Sequence, residues 1–217
     1  MTYKAVSRGY TKGERRIKII LEAAEQLLID NGYHNFSMRK VATKAGVSVG
    51  NLQYYFPSKN DLLEALLDHV IQNYLDAFEQ FRGQYTPKEQ FVKIIKAVIK
   101  DLNTKHTTVF FPELWSMANH EKYISEIMDK MYGKYRTFLA EVIRDINPDL
   151  NLCQAQRLSI FMTASLEGHT IFIGHKKAWT KETNNILDIS IQSFLWLIEH
   201  GEIPVEECEK SLCSEAH

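Results

Sequence analysis

The sequence predicts an all-α protein, and three observations lead there. Only 10 glycines and 5 prolines punctuate 217 residues, too few for a turn-dense β fold. Apolar residues recur at three- and four-residue spacing along most of the chain. Capping signatures stand where the periodic runs begin. About nine helices and no strand account for the pattern.

The elements follow in order. Thr11 and Glu14 form a capping box ahead of Ile17, Ile20, Leu21, Ala24, Leu27 and Leu28, which share one helix face; Asn31-Gly32 stops that helix. Ser37 caps a short helix, Met38–Ala45, ended by Gly46. Ser48 caps another, Val49–Tyr55, ended before Pro57. Ser58 and Asp61 open a longer helix reaching Phe81. Thr86-Pro87-Lys88-Glu89 combines a cap, a proline at the first helical position and a glutamate at the third. Phe91, Ile94, Ile95, Val98, Ile99 and Leu102 then continue the helical spacing. A short helix is expected from Pro112 to Asn119 and a long one from about Glu121 to Ile146, broken by Asn147-Pro148-Asp149. Asn151 and Gln154 cap the next, to about Gly174, and the last runs from about Lys181 to His200. The polar tail after Pro204 is expected to be poorly ordered.

Composition narrows the classes. With 45% apolar and 24% charged residues, the chain is ordinary globular protein rather than disordered or fibrous. The nearest approach to a membrane span, Leu158 to His175, contains Glu167, and the N-terminus lacks a signal peptide's apolar core. No membrane partner is expected. Cys153, Cys208 and Cys213 are odd in number and lack zinc-like pairing, which points to a reducing cytoplasm rather than a disulfide framework. Charge is unevenly placed. Residues 1–60 hold 10 Lys+Arg against 4 Asp+Glu, and residues 61–217 hold 16 against 23. A basic first quarter suits a polyanion.

The segment Ser37 to Tyr55, SMRKVATKAGVSVGNLQYY, has the pattern of a helix-turn-helix. Val41, Ala42 and Val47 suit close helix packing, and Val41, Ala42, Val47, Leu52 and Phe56 are expected in the core. Gly46 permits the backbone of a sharp turn. The second helix would enter a DNA major groove, showing Val49, Gly50, Asn51, Gln53 and Tyr54. Gly50 weakens the helix by about 1 kcal/mol, which makes sense if the backbone must approach something bulky.

Residues 14–62 resemble the DNA-binding domain of the TetR family of bacterial transcriptional regulators. Gly32-Tyr33, Ser37-Met38-Arg39, Val41-Ala42, Ala45-Gly46-Val47-Ser48, Gly50-Asn51-Leu52-Gln53-Tyr54-Tyr55-Phe56 and Ser58-Lys59-Asn60-Asp61-Leu62-Leu63 carry the likeness. Gln53 stands where the family commonly has Tyr. Stretches around Leu114-Trp115 to Ala118-Asn119, Tyr135-Arg136 and Leu166-Glu167-Gly168 are similar to the choline-responsive BetI-like branch. The resemblance implies a helix-turn-helix domain over residues 1–57, a helical ligand-binding and dimerisation domain over 58–203 and a tail over 204–217. It implies that Ser37 and Arg39 contact phosphate or an adjacent base, that Ser48, Val49, Asn51, Gln53 and Tyr54 lie in or against the groove, and that Tyr55 and Lys59 bind phosphate. The basic arm of Lys4, Arg8, Lys12, Arg15, Arg16 and Lys18 would add salt-sensitive attraction.

The last two predicted helices are apolar on most sides, so they must be buried on most sides. Packing against a second copy achieves this, with Leu158, Phe172, Ile191, Phe194, Leu195 and Ile198 as the expected interface; two central helices of a monomer core would do so too. The middle helices suggest a pocket lined by Phe111, Trp115, Met128, Tyr132, Phe161, Met162, Ser165 and His169, a mixture that plain core would also explain. No cofactor is expected. No metal-ligand spacing, phosphate loop or nucleophile elbow supports an enzyme. The expected function is a DNA-binding regulator, a repressor released from a palindromic double-stranded operator by an unknown small-molecule effector. The alternative is a constitutive DNA-binding dimer without an effector pocket.

Overall fold

The structure, a computed structural model, describes residues 11–204. Among them are nine α-helices and no strand: α1 Lys12–Asn31, α2 Met38–Ala45, α3 Val49–Tyr55, α4 Lys59–Glu79, α5 Pro87–Leu102, α6 Lys105–Ala118, α7 Lys122–Ile146, α8 Leu152–Ile173 and α9 Thr183–His200. Short 3-10 turns cover Tyr33–Asn35 and Thr180–Glu182. The tail beyond residue 204, the arm residues Lys4 and Arg8, and Cys208 and Cys213 lie outside the described residues.

The expected caps form. Thr11 N–H donates to Glu14 Oε2 at 2.7 Å while Glu14 N–H donates to Thr11 Oγ1 at 3.2 Å, so α1 starts with reciprocal satisfaction of two free amides. The same box opens α8 through Asn151 and Gln154, at 3.0 and 2.9 Å. Gly46 sits at φ 65°, ψ 36°, the left-handed conformation a side chain would strain, and its N–H ends α2 on Ala42 and Thr43 carbonyls.

Three boundaries differ from the sequence expectation. Helix α6 begins at Lys105, well before Pro112, which lies inside it. Thr104 Oγ1 accepts from Thr107 N–H at 3.2 Å and acts as a start signal ahead of the proline. Helix α4 stops at Glu79, short of Phe81. Helix α9 starts at Thr183, because a 3-10 turn occupies Thr180–Glu182.

The chain forms two compact units. The first contains residues up to Asn73 together with Val109–Met131, and the second contains Tyr74–Thr108 and Tyr132 onward. Helices α4, α6 and α7 each contribute residues to both.

In the first unit α1 packs on α2 and α2 on α3. Ile20, Ala24, Val41, Ala42 and Leu52 meet there, each 0–1% exposed. Each large apolar side chain so buried stabilises by about 1.5–3 kcal/mol. Val47 is half-buried rather than core, since the turn holds it at the rim. Leu28, Leu63, Leu67, Phe110, Leu114, Met117, Ile124 and Ile127 surround a cavity of about 10 Å³. That is room for one water at most, and an all-apolar lining offers it no partner.

In the second unit α5 packs on α8 and α9, burying Phe91, Ile94, Ile95 and Ile99. Asn147 Nδ2 donates to Ile198 O at 2.7 Å, tying the end of α7 to the end of α9. Cys153, in the first turn of α8, is disulfide-bonded. Count and spacing alone point instead to a reducing cytoplasm rather than a disulfide framework. No helix among the described residues is long and apolar enough to cross a membrane.

Candidate nucleic-acid interface

Each end of the α2–turn–α3 segment is set by a short polar side chain. Ser37 Oγ accepts from Lys40 N–H at 3.3 Å and Ser48 Oγ from Asn51 N–H at 3.1 Å. Val47 N–H reaches Ala42 O at 3.0 Å across the turn. Leu52 is the anchor of α3, fully buried, and Phe56 N–H closes the helix on Leu52 O at 2.9 Å.

With Leu52 pointing in, the rest of α3 points out. Val49, Gly50, Asn51, Gln53 and Tyr54 are exposed and Tyr55 is half-buried. Tyr54 is 80% exposed, and its ring meets Tyr55 edge-on at 5.1 Å. A Cβ added at Gly50 would meet nothing within 4 Å. Arg39 and Ser48 are exposed and Ser37 is half-buried at the start of α2. Of the basic arm, Lys12 and Arg15 are exposed while Arg16 and Lys18 are half-buried.

Lys59 has a second engagement. Its ammonium lies 3.7 Å from the centre of the Tyr33 ring and 5.7 Å from that of Phe36. Burial lowers its pKa, and the charge of Glu121 opposes that shift.

Tyr33 leads to a contact that the sequence did not suggest. Its backbone N–H, the first free amide of the 3-10 turn, donates to Glu113 Oε2 at 3.1 Å. Gly32 makes room for that carboxylate. It sits at φ 68°, and a Cβ there would lie 3.2 Å from Glu113 Oε2. The Tyr33 phenol is pushed up to about 12, first by burial and then by its hydrogen bond and proximity to Glu121. Carboxylates from α6 and from the α6–α7 turn thus hold the bend between α1 and α2. No local signal could reveal this, because Tyr33 and Glu113 are 80 residues apart.

The expected ligand-binding residues divide between the units. Phe111, Trp115 and Met128 belong to the first, and Tyr132, Phe161, Met162, Ser165 and His169 to the second. Phe111 and Met162 are buried, Phe161 is 54% exposed, and the others are half-buried. His169 Nε2 lies 3.3 Å from Ser190 Oγ, and burial lowers its pKa.

The expected interface residues also divide. Leu158, Phe194 and Ile198 are buried within the protomer itself, Ile191 and Leu195 are half-buried, and Phe172 is 60% exposed. The large apolar side chains that α8 and α9 expose are Leu152, Ile160, Phe161, Ile171, Phe172, Ile189 and Trp196. The described residues contain no group of three or more metal-ligating side chains.

Comparison with known proteins agrees with this geometry. The family model described as bacterial regulatory proteins, tetR family, matches residues 20–66. The transcriptional regulator RutR of Escherichia coli O157:H7 is 33% identical over 127 residues, 57% of each chain. A regulator in the dhlA 5' region of Xanthobacter autotrophicus is 27% identical over 135 residues, 60% of this chain and 66% of that one. Such matches span only about half to two-thirds of the relatives' length. Among solved structures, Salmonella enterica GusR superposes with a TM-score of 0.71 at 18% identity, covering 88% of this chain and 98% of that one. A regulator from Saccharomonospora viridis, solved in complex with choline, gives 0.62 at 22% identity, covering 89% and 100%. At these identities the structural likeness concerns the fold.

Proposed function

We propose that the chain is a transcriptional regulator of the TetR family, which its helix-turn-helix segment matches, and that it is a repressor that binds a palindromic operator as a homodimer and leaves it when a small molecule binds. One observation carries the reading. Helix α3 turns a single buried anchor, Leu52, inward and presents Val49, Gly50, Asn51, Gln53 and Tyr54 outward.

The roles follow from side-chain chemistry. Gln53 and Asn51 can bond an adenine edge bidentately, and Val49 can touch a thymine methyl. Bare backbone at Gly50 lets the helix approach the groove closely. Tyr55 and Lys59 would contact phosphates and set the register without reading sequence, Ser37 and Arg39 would contact phosphate or an adjacent base, and Ser48 and Tyr54 would lie against the groove. For Lys59 this means leaving or sharing the Tyr33 ring. A seven-residue helix reads few base pairs. Two copies about 34–36 Å apart would read two half-sites. The exposed apolar residues of α8 and α9 offer the self-complementary surface that such a pair needs.

An effector would act through the second unit, where Tyr132, Phe161, Met162, Ser165 and His169 lie. Helices α4, α6 and α7 run through both units and provide continuous paths for a shift. The ligand can move the balance only by binding one state better than the other.

Selection of bound duplexes from a random pool tests the reading. A palindromic consensus with steep salt dependence is the expected result. Recovery of random sequence, or no binding at low ionic strength, overturns it.

A further inference from the structure

Helix α8 carries a carboxyl group in an environment unlike that of the other acidic residues described. Glu167 Oε2 is sealed from solvent and has no hydrogen-bond partner, although part of its stem remains accessible. Tyr132 donates to the same carboxyl group, which places α7 against it. Among the further buried polar atoms in this predicament are two on the same pair of helices. Tyr135 Oη, on α7, and Thr170 Oγ1, on α8, are buried without a partner. Their residues are 7% and 1% exposed. Tyr132 and Tyr135 are three apart on one face of α7, and Glu167 and Thr170 are three apart on one face of α8.

Burial raises the Tyr135 pKa and the Glu167 charge adds to that, yet the two are not hydrogen-bonded. The two are close enough to interact electrostatically without bonding. Asp101 makes the contrast. Its Oδ2 accepts from Tyr74 and, at 2.7 Å, from Thr107. The same interior therefore satisfies one carboxylate and leaves another with open acceptor capacity. Buried polar atoms are seldom left so, and three on these two helices suit a polar partner from outside the chain.

The geometry points to a site in the second unit for a small organic monocation that carries N–H donors, a primary ammonium or an amidinium, anchored by Glu167 Oε2, Tyr135 Oη and Thr170 Oγ1. This rests on the reading of the chain as an effector-responsive regulator. A charged N–H donor matches a carboxylate, a phenol and a hydroxyl as acceptors, and such bonds are the strong ones. A quaternary ammonium has no N–H and would leave the same atoms without partners. A carboxylate ligand would meet Glu167 as a like charge. Burial raises Glu167 to about 7, so near neutral pH an entering cation would displace the proton that otherwise relieves the buried charge. The groups facing it are Tyr132 and Tyr135 from α7 and Tyr74, close enough for its titration to respond.

The test uses the full chain, titrated calorimetrically with butylamine, hexylamine and benzylamine. Each is matched with its alcohol and its trimethylammonium counterpart, and hexanoate serves as the anion. At least one amine should bind about tenfold more tightly than both counterparts. Glu167→Gln should remove that preference while leaving the unliganded melting temperature equal or higher. Thr170→Val and Tyr135→Phe, which each remove one oxygen, should weaken the amine severalfold and serve if the glutamine variant fails to fold. The proposal is overturned if no amine binds, if alcohol or quaternary forms bind equally well, or if Glu167→Gln binds as the native chain does. Operator affinity is measured alongside. Amine binding that depends on Glu167 but does not move operator affinity keeps the site and removes the effector role. Operator release by hexanoate or an alcohol, unchanged in Glu167→Gln, keeps the effector role and removes this site.

Discussion

Gln53 and Glu167 show how much one side chain's surroundings decide. Gln53 lies on the exposed face of α3, so its loss should leave folding alone. Gln53→Ala should reduce preference for the selected operator by about 1–3 kcal/mol if it bonds a base bidentately. Equal losses on operator and random duplexes, read by fluorescence anisotropy, would remove that role. Glu167 is the opposite case. Burial raises its pKa from 4.5 to about 7. Between those values the folded chain binds more protons than the unfolded one, so stability falls as pH rises through this window and levels off above it. The full loss is about 3 kcal/mol from the size of the shift. Glu167→Gln should flatten that part of the pH–stability curve, and denaturant midpoints across pH 4 to 8 check it. A slope identical to that of the native chain would show that the carboxyl group is solvated.

At the scale of elements, helices α2 and α3 were legible because their information is local. Ser37, Gly46 and Ser48 each sit within four residues of the amide or carbonyl they satisfy. The exposed α3 face followed from the same register. Helix α6 was misread because Pro112 looks like a start, whereas Thr104 supplies the cap. Contacts between distant segments left no trace in periodicity. Glu113 gives a helical pattern no reason to place it at Gly32 and Tyr33, and only the fold brings these residues together. That contact makes its own prediction. Glu113→Ala removes a charged acceptor from a part-buried amide, which should cost about 1–3 kcal/mol. It should also speed hydrogen exchange at Tyr33. Native exchange and an unchanged melting temperature would show that the contact contributes nothing. Glu113→Gln, which keeps an acceptor, should lose less.

For the whole molecule, the sequence indicated that α8 and α9 need cover, but not which side chains lack it. An apolar helix does not announce which of its sides its own chain already covers. Phe194 turns inward at 3% exposure and Phe172 outward at 60%. Phe172→Glu should therefore leave the protomer folded and produce monomers in sedimentation, while Phe194→Glu should unfold it. A dimer that survives Phe172→Glu would move the interface elsewhere. The open space at Gly50 has a further consequence. Nothing inside the chain forbids a methyl group there, and Gly50→Ala should raise stability by up to about 1 kcal/mol. It should also weaken operator binding, as gel shifts would report. Selection for heat resistance alone would fill that gap, so a laboratory lineage bred for toughness would drift toward sturdy proteins that no longer recognise their promoters.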